Sequence, residues 1–447
     1  MMPGRTSRRR FLQTSAAAGV GFWVAGGLRA RASNSANEQI QFASVGVDGK
    51  GRSDSRNASR HGAMVGICDV DSNKLKAAAA LYPDARQFAD FREMLDAMGD
   101  KIDAVTVSTP DHNHAAAAAM AMKKGKHVYC QKPMTHSIYE ARRLGEIARE
   151  KGVISQMGNQ GTSLDSLREA AAVLRSGALG AVSEVHIWTN RPIWKQGIDR
   201  PEPAEVPDFL NWDLWIGTAP MRPYTTLYHP FSWRGWWDFG TGALGDMACH
   251  TVNLPFMGLD LRDPTSVQAV TSGHNRDSYP QRSTIEFEFP ANDWRGALKM
   301  VWYDDKGNQP PAELLDGKKV PQTGSLVIGE KGKLLSPGDY GGSFELIGLE
   351  KPKVEWKSAP DAGGTDENHM AEFAQCIKSG EQARSNFPDY AGPLTETILL
   401  GNLAVWVAPE AGVKGQKVEW DAKTMTVKNI EGLEKIVKPP YREGYTL

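Results

Sequence analysis

Ile40–Gly51 read IQFASVGVDGKG, an apolar run that ends in a cluster of glycines. This is the pattern of a buried β-strand followed by a tight turn. A second run of the same kind, AMVGICD, occupies residues 63–69. Strands that are apolar throughout are typical of parallel sheets, which are covered on both faces. The two runs therefore predict an N-terminal domain built on a parallel sheet.

The pattern around these strands alternates between strand and helix as far as residue 157. Such alternation predicts a doubly wound α/β sheet, whose ligands bind beyond the carboxyl ends of the strands. We place this domain at residues 38–158. The further strands predicted are 104–109, 127–131 and 153–157, and the predicted helices are 72–81, 91–98, 112–124 and 137–151.

From about residue 160 the strands follow one another with few helices between them. Successive strands indicate a mainly antiparallel sheet, so the second domain, 159–412, is predicted to be α+β. A polar tail, 413–447, is expected to pack on the body. Strands are predicted at 183–189, 284–289 and 295–302, and helices at 163–175, from 243, at 367–378 and at 393–407.

The first 32 residues have the order of features of an export signal. Ser7–Gln13 read SRRRFLQ, an apolar run follows over 14–28, and Ala30-Arg-Ala32 offers a small-residue cleavage site. The run is shorter than the roughly 20 residues that a transmembrane helix needs. The segment resembles a twin-arginine signal, and the alternatives are an uncleaved anchor or a chance basic N-terminus. We expect a periplasmic or otherwise exported protein without stable membrane insertion after cleavage.

Charge and cysteine content argue against several classes of protein. The 447 residues include 52 Lys and Arg against 53 Asp and Glu, which lacks the basic excess of a nucleic-acid-binding protein. Removal of the signal takes away six arginines and no acid, leaving 46 basic and 53 acidic residues, a net charge of -7. The cysteines are far apart, so no metal site and no disulfide is predicted, and buried free thiols are expected. They are Cys68, Cys130, Cys249 and Cys376.

The glycines of the first turn suit a dinucleotide. Gly46, Gly49 and Gly51 would let amides at a helix N-terminus approach a pyrophosphate, although a tight turn alone would explain them. Asp48 stands in the place of the second glycine of the usual fingerprint, and its charge would repel phosphate. Asp69 ends the second strand 23 residues after Gly46, the spacing of an acid that accepts ribose hydroxyls. NAD is therefore favoured over NADP.

Two further strand ends carry polar residues. Residues 109–114 read TPDHNH at the end of the strand predicted over 104–109. Residues 130–133 read CQKP at the end of the strand predicted over 127–131. Because the carboxyl ends of parallel strands face the ligand, these loops should line the crevice. The proline restricts the turn that carries Lys132 and directs its ammonium toward the crevice, whereas the alternative is an ordinary solvent-exposed lysine.

The helix predicted from residue 243 carries a polar pair. Asp246 and His250 are four residues apart and so share one helix face. An imidazole can take a hydroxyl proton near neutral pH, and a nearby carboxylate would sustain the imidazolium. The alternatives are a surface ion pair, or half of a metal site that would recruit His229 as a third ligand.

Together these motifs resemble the glucose-fructose oxidoreductase and inositol dehydrogenase family over residues 40–407. The shared features are the glycine turn, a Thr-Pro-x-x-x-His segment, a Lys-Pro motif after the fifth strand and a Gly-x-x-x-Asp-x-x-x-His helix. The resemblance implies a Rossmann domain joined to an open-faced, mainly antiparallel sheet. It also implies a tightly held nicotinamide cofactor and the oxidation or reduction of sugar or polyol hydroxyls.

The same resemblance implies roles for individual residues. Lys132, His250 and Asp246 match the catalytic set, with His250 as the acid–base histidine. Gln131 replaces the usual glutamate before Lys-Pro, which would remove a charge partner from Lys132. The predicted cofactor-binding residues are Gly46, Gly49, Gly51, Arg52, Asp69, Thr109, Pro110, His112, His114, Gln131, Lys132 and Asn159. We also expect a homo-oligomer, dimer or tetramer, formed through the second-domain sheet.

Aromatic residues are concentrated in the long irregular segment before residue 240. Seven of the thirteen tryptophans lie between residues 188 and 237. Their amphipathic rings suit the apolar face and hydroxyl rim of a sugar, while core packing and an oligomer interface would suit them equally well. The predicted substrate residues are Arg191, Trp194, Tyr228, His229, Trp233 and Arg234.

The leading functional hypothesis is an exported NAD-dependent oxidoreductase that transfers a hydride between a sugar or glycoside hydroxyl and its cofactor. One alternative is a glycosidase that uses bound NAD transiently, oxidising the sugar, eliminating the aglycone and restoring the alcohol. Another is a non-catalytic carbohydrate- or cofactor-binding protein. The acid–base set argues against the last, because binding alone does not require it.

Overall fold

The computed structural model describes residues 39–447, and the signal predicted for residues 1–32 lies outside them. The first sheet has six parallel strands: β1 Ile40–Val45, β2 Gly62–Cys68, β3 Arg86–Phe88, β4 Ala104–Val107, β5 His127–Gln131 and β6 Ser155–Gly158. Their order across the sheet is β3-β2-β1-β4-β5-β6. The order reverses between β1 and β4, which is the switch point of a doubly wound sheet. The predicted fold of this domain is confirmed.

The helices of the first domain start at recognisable caps. Asp71 and Asp90 accept amide protons in the first turns of α2 and α3, and Ser137 with Glu140 forms a capping box on α5. Helices α2 and α3 have the predicted bounds. The bounds are α1 Lys50–Ser59, α2 Ser72–Leu81, α3 Phe91–Met98, α4 His114–Lys123 and α5 Ile138–Lys151.

Two parts of this domain differ from the sequence analysis. Helix α1 has no predicted counterpart, because its sequence KGRSDSRNAS is almost entirely polar and lacks an apolar stripe. Its small residues nevertheless bury one face, on which Gly51, Ser55 and Ala58 lie. Residues 111–113 form a separate 3-10 turn, so α4 begins at His114, two residues later than expected.

The second sheet has nine strands: β7 Val182–Trp188, β8 Ser266–Thr271, β9 Ser283–Phe289, β10 Leu298–Tyr303, β11 Gly324–Gly329, β12 Gly332–Pro337, β13 Glu345–Ile347, β14 Val418–Asp421 and β15 Thr426–Val427. Their order is β13-β12-β11-β7-β10-β9-β8-β14-β15. Only β7 and β10 are parallel neighbours, so the predicted mainly antiparallel sheet is confirmed. The last two strands come from the polar tail.

One late helix of the second domain packs on the sheet of the first domain. Helices α6 to α12 are Asp165–Arg175, Trp212–Ile216, Gly242–Thr251, Asn253–Leu259, Thr365–Ser379, Gly392–Trp406 and Glu434–Val437. In α10, Met370 and Phe373 pack in one apolar cluster with Phe42 and Tyr129 of the first sheet. The sequence pattern of this helix shows an apolar face but not which sheet covers it. Helix α11 contacts both α5 and strands β8 and β9.

Two further findings concern the state of the cysteines and the search for membrane-spanning helices. All four cysteines are free thiols, and three are buried, while Cys376 is partly exposed. Within residues 39–447, no helix combines the length and the apolar character needed to cross a membrane.

Candidate active site

A cavity of about 560 Å³ lies at the carboxyl ends of the strands of the first sheet. Gly46, Asp69, Thr109, Lys132 and Gln160 follow five different strands, and all of them line it. The opposite wall comes from the second domain: the loop before α8, α8 itself and the loop after β12. The cavity therefore lies where the doubly wound pattern places the ligand crevice.

The glycine turn at the start of α1 is shaped by backbone packing. A Cβ on Gly46 would lie 2.6 Å from the carbonyl oxygen of Ser108, and one on Gly51 would lie 2.2 Å from that of Gly46. Gly49, with a φ of 56°, is the residue that precedes α1, and a Cβ there would meet no atom within 4 Å. The turn thus leaves open space at the helix N-terminus, where amides favour an anion.

The charge of Asp48 is compensated within the same turn. Its carboxylate accepts a hydrogen bond from Arg52 at 2.8 Å and lies 3.9 Å from the ammonium of Lys74. Arg52 is largely exposed and does not line the cavity, so the structure shows it paired with Asp48 and not at the cavity wall where the sequence predicts it. The acid in the fingerprint is therefore compatible with a phosphate nearby.

Asp69 is held rigidly at the end of β2. Its two carboxylate oxygens accept hydrogen bonds from the amides of Val47 and Asp71, each at 3.0 Å. Burial raises the pKa of this carboxyl above its ordinary value. It lines the cavity at the position where the fold places the adenosine ribose.

The ammonium of Lys132 is bound by the second domain. Its Nζ donates to Oδ1 of Asp246 at 2.6 Å and to the carbonyl oxygen of the same residue at 2.9 Å. The Nε of Arg234 lies 3.2 Å from the same Oδ1, and its Nη1 donates to Asp111 at 3.3 Å. Burial alone would raise the pKa of Asp246, but the charges of Lys132 and Arg234 hold it well below its usual value. Two cations therefore share one buried carboxylate.

His250 follows one helical turn later and is neutral. Burial and then the charge of Lys132 lower its pKa well below 6.5. Its ring meets that of Tyr340 edge-on, with 4.5 Å between the ring centres. The charge of Asp246 favours the protonated imidazole, as the sequence predicts, but this carboxylate accepts its hydrogen bond from Lys132 and not from His250.

Gln131 is partnered by an acid that the sequence analysis does not single out. Its Nε2 donates to Oδ2 of the buried Asp54 at 2.8 Å, and Ser108 donates to the same atom. Lys50 lies 3.4 Å from the other oxygen of Asp54 and 2.6 Å from Asp366. Burial raises the pKa of Asp54. The missing glutamate therefore does not deprive Lys132 of a partner, because Asp246 fills that place.

The two histidines of the 109–114 loop have different surroundings. The ring of His114 lies between the carbonyl oxygens of Thr109 and Pro133, at 2.7 and 2.8 Å, and lines the cavity beside Pro110. His112 is not at the cavity wall. Its ring contacts the carbonyls of Trp215 and Phe239 and faces a separate cavity of about 290 Å³, and burial lowers its pKa to about 3. His112 supports the loop and does not reach the cofactor site.

Buried polar atoms without partners lie at and next to the β6 end of the cavity. Within the described residues, Nδ1 of His250, Nδ2 of Asn159 and Nε2 of Gln160 are buried and have no hydrogen-bond partner. Asn159 lies behind the wall, with its side-chain oxygen bound by Ser385 at 2.5 Å, whereas Gln160 lines the cavity. Buried polar groups are normally satisfied. Together with the open turn and Asp69, these atoms fit a nicotinamide dinucleotide.

The aromatic segment divides between the core and the cavity. Tyr228 is fully buried in an aromatic cluster, Trp194 packs behind Arg234, and Arg191 forms an ion pair with Asp339. None of these three lines the cavity, so their predicted contact with substrate is not seen. The large rings fill the space between irregular loops, which lack the regular backbone hydrogen bonds of a sheet. The residues of this set that line the cavity are His229, Trp233 and Arg234.

Tyr340 and Tyr445 line the cavity without any sequence signal that marks them. Both lie in irregular segments far along the chain from the strand ends that they face. Lys50 and Asp54, in contrast, stand four residues apart directly after the glycine turn, a spacing that places them on one helix face.

The geometry defines a class of protein: a dinucleotide-binding domain whose strand ends meet a lysine, a carboxylate and a histidine across a domain junction. Residues 40–159 match the oxidoreductase family with an NAD-binding Rossmann fold, and residues 166–447 match its C-terminal alpha/beta domain. The chain belongs to this GFO/IDH/MocA family, and its cofactor is NAD.

Curated relatives match part of the chain. Levoglucosan dehydrogenase of Pseudarthrobacter phenanthrenivorans is 22% identical over 188 residues, which are 42% of this chain and 40% of the relative. D-glucoside 3-dehydrogenase of Escherichia coli is 31% identical over 138 residues, 30% of this chain and 37% of the relative. The chain thus matches less than half the length of these relatives.

Solved structures share the fold over most of the chain. The WlbA dehydrogenase of Bordetella pertussis, in complex with NADH and UDP-GlcNAcA, has a TM-score of 0.58 at 20% identity and covers 85% of this chain and 98% of its own. An inositol dehydrogenase homologue of Azotobacter vinelandii, with NADH and myo-inositol, has a TM-score of 0.59 at 17% identity and covers 86% and 98%.

Replacing Asp246 by Asn leaves two partly buried cations without their shared carboxylate. We expect Asp246→Asn to lower the free energy of unfolding by about 3 kcal/mol. The control Glu345→Gln, in an exposed pair with Lys318, should cost less than about 0.5 kcal/mol. The folded pKa of Asp246 is lowered, so its contribution is present above its unfolded pKa and is lost only at lower pH. Urea unfolding should give the same difference at about pH 6 and about pH 8, and a cost equal to that of the control contradicts the role of the pair.

Exchanging the acid and the amide at positions 54 and 131 tests the hydrogen bond between Asp54 and Gln131. Gln131→Glu places a carboxylate against Asp54 and should lower the free energy of unfolding by about 1 to 3 kcal/mol. Adding Asp54→Asn should recover most of this loss, because one amide and one acid again face each other. A double-mutant cycle from urea unfolding measures the coupling, and strictly additive effects would argue against this contact.

Proposed function

We propose that this chain is an exported oxidoreductase that transfers a hydride between a sugar or glycoside hydroxyl and a retained NAD. The observation that carries the proposal is the pairing of a charged Lys132, bound by Asp246, with a neutral His250 across one cavity. Oxidation of an alcohol needs a group that takes the hydroxyl proton and a group that stabilises the oxygen as it loses it. These two side chains supply both.

Lys132 is the group that binds the reacting oxygen. Its ammonium has three donors, of which two are used by Asp246 through its carboxylate and its carbonyl. The third is free to point at a substrate hydroxyl in the cavity that Lys132 lines. A positive charge in a site with little water stabilises a developing alkoxide strongly.

His250 is the group that takes the proton. A base must be unprotonated to accept, and burial together with Lys132 keeps this imidazole neutral at neutral pH. Once protonated, it lies within the field of the Asp246 carboxylate, which favours the charged form. Bound NAD supplies the hydride-accepting carbon of its nicotinamide ring.

The substrate class follows from the second-domain wall. Trp233 and Tyr340 offer flat apolar faces, and the guanidinium of Arg234 lies 4.2 Å from the centre of the Trp233 ring. Aromatic faces with a rim of donors suit a sugar ring. The names of the relatives, levoglucosan dehydrogenase and D-glucoside 3-dehydrogenase, support a sugar or glycoside.

Export is supported by the sequence of residues 1–32. Its order of arginines, apolar run and cleavage site is that of a twin-arginine signal. That pathway carries folded proteins, so an enzyme can take NAD with it to a compartment where free NAD is scarce. Assembly into a dimer or tetramer through the nine-stranded sheet stays a prediction.

The proposal is tested with protein recovered from the periplasmic fraction of expressing cells. We expect NAD to be released when this protein is denatured. We also expect a panel of sugars and glycosides to give reduced cofactor or a keto-sugar. Lys132→Met and His250→Asn should each lower turnover by about 10² to 10⁴ fold while retaining NAD, whereas Lys378→Met at an exposed site should not.

Three outcomes would replace the proposal. Release of an aglycone without net reduction of NAD identifies a glycosidase that uses the cofactor transiently. The absence of any product, with Lys132→Met indistinguishable from the unchanged protein, identifies a binding protein. Recovery of the protein from the cytoplasmic fraction alone contradicts export.

A further inference from the structure

Residues 441–447, which we call the strap, connect the two sides of the cavity. Arg442 is bound to the loop around α7: its side chain donates to the carbonyls of Asp213 and Gly217 at 2.7 and 3.0 Å. Its backbone amide donates to the carbonyl of Thr218. Two residues later, the carbonyl of Gly444 accepts a hydrogen bond from Arg92 of the first domain at 3.1 Å. The strap is therefore hydrogen-bonded to the second domain through Arg442 and to the first domain through Gly444.

Tyr445 is the residue of the strap that reaches the cavity. It is 7% exposed, and its ring centre lies 4.4 Å from the guanidinium carbon of Arg92 and 6.4 Å from the ring centre of Phe91. Arg92 is in turn held by two hydrogen bonds to Asp90 at 3.0 Å and one at 2.6 Å. Tyr445 thus packs against the first turn of α3.

This end of the cavity is the adenine end. Asp69 marks the adenosine ribose in the doubly wound fold, and the wall continues from it through Val70, Ala89, Asp90 and Phe91. The catalytic lysine and histidine follow β5 and lie on α8, at the other end of the strand order. Tyr445 therefore lies at the end of the cavity where the fold places the base, and the side chains of Lys132 and His250 come from the other end of the strand order.

We infer that the strap is a latch: Tyr445 closes the adenine end of the cavity and slows the release of NAD. The inference rests on the binding of NAD and deepens the proposal that the cofactor is retained. An aromatic ring that is already ordered contacts the base at little cost in conformational entropy. Departure of the base would require Tyr445 to leave its contacts with Arg92 and Phe91. Such contacts act mainly on the dissociation rate.

The latch is tested by comparing two ligands, each of which contains a different half of NAD. ADP-ribose contains the adenine end, and nicotinamide mononucleotide contains only the other end. For Tyr445→Ala we expect ADP-ribose and NAD to dissociate at least about tenfold faster, with the affinity for nicotinamide mononucleotide unchanged. The control is Thr446→Ala, at an exposed position of the same strap. Tyr445→Phe should keep the slow release, because it keeps the ring.

Each remaining outcome decides the matter. If Tyr445→Ala and Thr446→Ala release ADP-ribose at the same rate, the latch is refuted. If Tyr445→Ala weakens both ligands equally, the residue supports the fold and is not a latch, and the melting temperature of the ligand-free variant will fall with it. Failure of the sugar assays leaves this comparison intact, because it uses no substrate.

Discussion

The ion pair of Lys132 with Asp246 is the contact on which the site depends. It joins the end of β5 to helix α8, and so fixes the distance between the cofactor domain and the wall that faces the substrate. Two buried charges are costly to remove from water unless they are paired and hydrogen-bonded. Here the carboxylate accepts a hydrogen bond from Lys132 and pairs with Arg234, so that it acts on His250 through its charge and not through a hydrogen bond.

The departures from the usual pattern of the family have local compensations. Asp48, next to the predicted phosphate site, is neutralised by Arg52 and Lys74. The side-chain amide of Gln131 donates to Asp54, so an acid is still present next to position 131, although it comes from helix α1. In both cases the charge balance of the cavity is kept by a neighbour on helix α1 or α2.

Local patterns allowed most of the fold to be predicted from the sequence. The apolar run before Gly46 and the alternation after it predict the first sheet, and Lys132, His250 and Asp69 were found from their places at strand ends and on a helix face. Long-range contacts could not be predicted in this way. Nothing in the spacing of residues shows that α10 completes the first core, that Asp246 binds Lys132 rather than His250, or that Tyr445 reaches Asp69's end of the cavity. The tryptophans show the same limit, because an amphipathic ring fits a core and a sugar equally well.

The protonation state of His250 tests the central claim most directly. The nitrogen chemical shifts of its ring, assigned with a His250→Asn variant, can be followed against pH in the mature protein. If burial and the charge of Lys132 keep this imidazole neutral, the ring will not titrate between about pH 8 and about pH 5, and Lys132→Met will raise its pKa. Titration at about 6.5, the value of an ordinary histidine, unchanged by Lys132→Met, would contradict the account.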